Sequence, residues 1–148
     1  MKPVLMNHPG VIWHTYPERI FSLLPEPERE TNFSITTHVL VHESYDNHVR
    51  QQFPVIGKAS PLAVAALIEQ QINGTDGLLK LDGSDNIMFL AGKYWDLYAL
   101  RARYGSFAHT KAFGWLLTLS EVPRFGRWPD WGAYRPAGTQ YLWETITK

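Results

Sequence analysis

Between Arg124 and Trp143 the sequence reads RFGRWPDWGAYRPAGTQYLW, with three tryptophans, two tyrosines, one phenylalanine and three arginines in twenty residues. Arg124, Arg127 and Arg135 alternate with Phe125, Trp128, Trp131 and Tyr134. Trp, Tyr and Arg are the side chains that dominate protein-interface hot spots, so this interleaving suits a contact surface for another protein. It also suits a single-strand nucleic-acid platform, in which rings stack on bases and guanidinium groups hold phosphates. Indole faces stack on sugars as well. The competing role is internal: Trp128 and Trp131 fold back over a sheet, Pro129 and Pro136 stiffen the return, and the arginines make cation–π pairs inside.

A second group, Arg101, Arg103, His109 and Lys111, combines cations with a histidine close in sequence. A metal-independent nuclease needs a base, an acid and cations for the phosphate, and these residues supply such types. His38 and His42 stand four apart with Glu43, Asp46 and His48 nearby. On a continuous strand their Cα atoms would lie about 13 Å apart, too far for one ion. Val39 also breaks the helical His-Glu-x-x-His zinc pattern. We therefore expect no metal and no cofactor.

The recognised catalytic and nucleotide motifs fail residue by residue. Near Gly57-Lys58, Gln52 stands where a phosphate loop needs its first Gly, and Ala59 where it needs Ser or Thr. Asp82, Ser84 and Asn86 imitate the start of a calcium loop, but Ile87 and Lys93 occupy its Gly and Glu positions. There is no Gly-x-Ser-x-Gly elbow, and the absence of cysteine excludes disulfides, thiolate catalysis and sulfur-ligated zinc.

Formal charge is zero, which argues against indiscriminate coating of nucleic acid, since such binding scales with the phosphates neutralised. The distribution is nevertheless uneven. Residues 1–100 carry seven Lys/Arg against eleven Asp/Glu, a balance of −4, and residues 101–148 carry seven against three, a balance of +4. The longest strongly apolar run, Leu62 to Ile68, is too short to span a bilayer. A cytoplasmic protein without membrane contact is expected.

The elements that would position these residues follow from periodicity. Val11 to Tyr16 suits a short strand between Gly10 and Pro17, and Pro17 to Leu24 one or two helical turns. Phe33, Ile35, Thr37, Val39 and Val41 alternate with Ser34, Thr36, His38, Leu40 and His42, predicting a strand with one buried face. Residues 44–60 read mostly as loop, with a short element around Val49. Ser60 as cap, Pro61 at the first position and Asn73-Gly74 as stop predict a helix over 61–72. A strand is expected at Asn86 to Gly92, while 93–104 and 111–122 fit either a helix or a strand. The turn-like Gly92-Lys93 step and the alternation of Trp115, Leu117 and Leu119 tip both to strands, with a short amphipathic segment from Thr139 to Ile146.

The whole chain, 1–148, is thus expected to form one α+β domain, an antiparallel sheet of about four to six strands on one main helix. Its expected function is that of a small non-enzymatic module acting through protein–protein contacts, as an adaptor, inhibitor or immunity-type protein. The contact surface is expected at Arg124, Arg127, Trp128, Trp131, Tyr134 and Arg135. The alternatives are a single-stranded nucleic-acid binder or small nuclease using Arg101, Arg103, His109 and Lys111, and a tryptophan-lined pocket for a small molecule or sugar.

Overall fold

The computed structural model describes residues 8–14, 18, 19, 22, 33–54, 56, 60–93, 96–106, 113–121 and 132–146. In chain order its elements are β1 (Val11–Trp13), β2 (Phe33–Val39), β3 (Ser44–Tyr45), α1 (Asp46–Gln52), α2 (Pro61–Gln70), β4 (Asn86–Lys93), β5 (Asp96–Ser106), β6 (Phe113–Glu121), β7 (Tyr134–Arg135) and β8 (Gln140–Ile146). The expected turn at Pro17 to Leu24 lies largely outside the described residues.

The alternating stretches become strands, and the choice between helix and strand that the sequence leaves open at 93–104 and 111–122 falls to strand in both, as β5 and β6. β4, β5 and β6 form an antiparallel meander, and the full sheet has the order β1-β6-β5-β4-β8-β2. The expectation of an antiparallel sheet is corrected here: β1 lies parallel to β6, and β8 lies parallel to β4, so the sheet is mixed. Both parallel pairs join segments far apart in the chain, which local periodicity does not register. The amphipathic segment near the C-terminus is β8, an interior strand held antiparallel to β2 on its other side.

The expectation of one main helix is also corrected, because helices lie on both faces. α2 covers one face: Val64, Ala65, Leu67 and Ile68 pack with Met88, Leu100, Ala102, Trp115, Leu117 and Leu142. The local signals act as expected at its start, where Ser60 Oγ accepts from Ala63 N at 3.2 Å and Pro61 occupies the first turn. The helix stops at Gln70, two residues before the expected end. The chain turns back through Gly74, whose φ of +75° strains any residue bearing a Cβ.

α1 covers the other face. Its Val49 packs with Leu40, Ile56, Ile87, Ala99, Tyr141 and Trp143, with Phe53 against them. The sequence DNHVRQQ offers this helix little apolar periodicity; tertiary packing of Val49 and the pairing of Asp46 hold it instead.

β2 departs from the expected face pattern. Ile35 packs toward the α2 core, but Thr37 is exposed and Val39 and Val41 are 41% and 80% exposed, while Leu40 is buried. Leu40 continues the register with β8 and falls on the same side as Thr36 and His38, where it packs into the α1 core. The face that is buried at this end is therefore the one opposite to that expected.

Two buried amides order the long connection between α2 and β4, Asn86 tying it to the sheet and Gln71 to the end of α2. Asn86 Oδ1 accepts from Lys80 N and Gln140 Nε2 at 2.9 Å each, and its Nδ2 donates to Lys80 O and Ala102 O at 3.2 Å each. Gln71 bonds the backbone of Thr75 and Leu79. Every polar atom of the Asn86 amide is thereby satisfied out of water, as burial requires.

Candidate functional site

The ribbon β3–β7 lies where the two halves of the chain meet. Ser44 pairs with Arg135 and Tyr45 with Tyr134, and Asp46 N extends the pairing by donating to Ala133 O at 3.0 Å. Successive residues of a strand point to opposite sides, so Tyr134 and Arg135 part company. Tyr134 is 46% exposed, whereas Arg135 is only 3% exposed.

Arg135 turns inward onto Asp46, at the start of α1. Its Nε and Nη2 each donate to a different Asp46 carboxylate oxygen at 3.0 Å, a bidentate pair. Tyr141, from the interior strand β8, adds a third bond by donating its hydroxyl to Asp46 Oδ1 at 2.6 Å. All three residues are buried. Burial alone would lower the Arg135 pKa, but the Asp46 hydrogen bonds and charge outweigh it and raise the pKa above its ordinary value. One turn along α1, burial lowers the Arg50 pKa despite the Asp46 charge.

The Tyr141 phenol is raised well above its ordinary 10.0, first by burial and then by the adjacent Asp46 carboxylate. Its folded value lies above its unfolded one, so the stability it supports is complete below about pH 10 and drains away as pH rises further. Tyr141→Phe should cost about 1.5–3 kcal/mol at pH 7, the usual worth of a hydrogen bond to a charged group. The variant should also lose less stability than wild type between pH 9 and 11, a contrast that urea unfolding at the two pH values reads directly.

Outside this buried triad sits an aromatic surface. Tyr134 donates its hydroxyl to Glu43 Oε2 at 2.7 Å, which raises the phenol's pKa. The Tyr45 ring meets Tyr134 edge-on at 5.7 Å and His48 edge-on at 5.8 Å. Glu43 and His48 are exposed and Tyr45 is half-buried. The surface is thus built from β7, from β3 and the connection that precedes it, and from the first turn of α1, and the buried ion pair joins β7 to the start of α1.

Of the residues expected to form the contact, Tyr134 lies on this surface and Arg135 lies beneath it. Arg124, Arg127, Trp128 and Trp131 lie outside the described residues, as do His109 and Lys111. Arg101 and Arg103 share one face of β5, toward the α1 side of the sheet. Arg101 is half-buried and contacts Asp85 at 3.4 Å, while Arg103 is exposed.

Glu43, Tyr45, Asp46, His48 and Tyr141 were not singled out as contact residues by the sequence. Period-two alternation through Tyr134-Arg135 is the one local signal that separates the outward side chain from the inward one.

His38 stacks obliquely on Phe53, with ring centroids 4.7 Å apart, and His42 falls beyond the end of β2, so the two do not share a strand. Among the described residues no cluster of three His, Asp or Glu could hold a metal ion. An apolar crevice between α2 and the sheet, lined by Ile35, Val64, Leu67, Met88 and Leu142, has no room for a water molecule and is a packing seam rather than a ligand site. No helix among the described residues is long and apolar enough to cross a membrane. Comparison with protein-family models, with curated proteins and with solved structures finds no match to this chain.

Proposed function

We propose that this chain is a non-enzymatic binding module that recognises another protein through the aromatic surface around Tyr134, continuous in sequence with Arg124 to Trp131. The observation that carries the proposal is the mounting of Tyr134. An exposed tyrosine is held against Tyr45 and Glu43 by a ribbon whose next residue, Arg135, is locked into a buried bidentate pair. A ring already fixed before contact loses little further freedom on binding, and that preorganisation favours affinity.

Nucleic-acid binding through the basic last third is the competing reading, and Arg103 is its described exposed cation. The two readings differ in salt response. Phosphate contacts release counterions and weaken log-linearly with salt, whereas an aromatic interface does not.

The test is to capture and identify partners with the wild-type protein, then measure affinity for an identified protein with wild type and with the Tyr45→Ala/Tyr134→Ala variant. The variant should bind about tenfold or more weakly, the effect expected for a hot-spot residue. Equal affinities would place the contact elsewhere. Tight binding to single-stranded oligonucleotides with a steep salt slope would favour the competing reading.

A further inference from the structure

The strand β2 ends the six-stranded sheet, and β8 is its only strand neighbour among the described residues. Leu40 N donates to Thr139 O at 2.9 Å in the continuation of the β2–β8 register. Hydrogen-bonded pairs alternate along an antiparallel ladder, so Ser34, Thr36 and His38 direct their backbone groups to β8. Ile35, Thr37 and Val39 therefore direct theirs away from the sheet. Thr37 and Val39 are exposed to solvent.

Edge strands are ordinarily blunted by lysine, proline, a bulge or very short length, because a bare row of N–H and C=O groups templates further pairing. β2 carries none of these. Its seven residues, FSITTHV, include no charged residue and no proline, and they pair with β8 in unbroken register.

We infer that the outer edge of β2 is an interface for a second copy of this chain, joined antiparallel about a two-fold axis so that the two sheets become continuous. The strand's own sequence suits itself as a partner. With the axis at Thr36, Ile35 faces Thr37 of the second copy and Ser34 faces its His38, so no like charges meet. Both members of the Ile35–Thr37 pair direct their backbone groups outward, which is the condition for the new ladder. A zero formal charge adds no net repulsion between copies. Such a two-fold contact is closed and stops at two copies. A seven-residue edge buries less than a standard interface, so the association is on the order of micromolar.

Sedimentation and light scattering at protein concentrations from about 5 to 300 μM test this. Wild type should shift from the 17.0 kDa monomer toward twice that mass as concentration rises. Thr37→Lys places a charge on the edge, and Thr37→Pro removes an outward N–H that β8 does not use. Both variants should stay monomeric across the range and unfold in urea at concentrations close to wild type. A wild type that remains monomeric at the highest concentration overturns the inference. So does a dimer that persists in both variants, which would place the interface on another surface.

Discussion

Asp46→Ala is expected to lower the free energy of unfolding by about 3–5 kcal/mol, the cost of leaving one partner of a buried ion pair uncompensated. The substitution strands the Arg135 guanidinium, which is 3% exposed, and removes the acceptor of the Tyr141 hydroxyl. It also frees the first turn of α1 from β7. Against a typical total of about 5–15 kcal/mol, a loss of that size brings the chain close to unfolding at ambient temperature. The comparison that isolates the charge effect is the double variant Asp46→Leu/Arg135→Met. Replacing a whole buried pair with apolar side chains is often near neutral, so the double variant should be more stable than Asp46→Ala alone. Denaturant midpoints of the two variants measure this. A double variant no more stable than the single one would mean that the pair matters for shape and not for charge compensation.

The second large effect is expected at Trp115, which is fully buried in the core beneath α2. Trp115→Ala should cost about 3–5 kcal/mol through lost burial and the cavity that remains. Trp115 does more than fill space. Its Nε1 donates to Gln71 O at 2.7 Å, its backbone N donates to Gly10 O at 2.8 Å, and the Tyr104 ring meets it edge-on at 5.2 Å. It therefore joins β1, the end of α2 and β5 at one point. Trp115→Phe keeps most of the bulk and loses the indole N–H, but Gln71 O still accepts from Gly74 N at 2.9 Å, so the loss should be that of one ordinary hydrogen bond, about 0.5–1.5 kcal/mol. Equal losses in the two variants would show that the hydrogen bond, rather than packing, carries the residue's contribution.

Much of this fold was legible wherever a signal is local. Ser60, Pro61 and the apolar spacing through Ile68 mark α2, whereas alternation tips β5 and β6 toward strand against a composition that also suits a helix. The mixed sheet was not legible, because the pairing of Val11 with Trp115 and of Asn86 with Gln140 depends on contacts across the chain. α1 was hidden for a different reason: Val49 is its one buried apolar residue, and its other anchor, Asp46, is partnered by a residue 89 positions away.

The candidate site divides in the same way. An aromatic and basic segment was visible in composition, and Tyr134 stands exposed within it. That Arg135 is structural support for the ribbon rather than part of its outer face follows from alternation plus a distant carboxylate, and only the alternation lies in the local sequence. Arg135, the arginine of the segment that lies among the described residues, is buried in an ion pair, and its contribution is to the rigidity with which the neighbouring tyrosine is displayed.

The most direct test is the affinity of the folded protein for an identified protein partner, measured at about 50 and 300 mM salt with wild type and the Tyr45→Ala/Tyr134→Ala variant. An aromatic contact surface predicts binding that changes little with salt and weakens about tenfold or more in the variant. Unchanged affinity in the variant, or binding confined to oligonucleotides and lost log-linearly with salt, would contradict it.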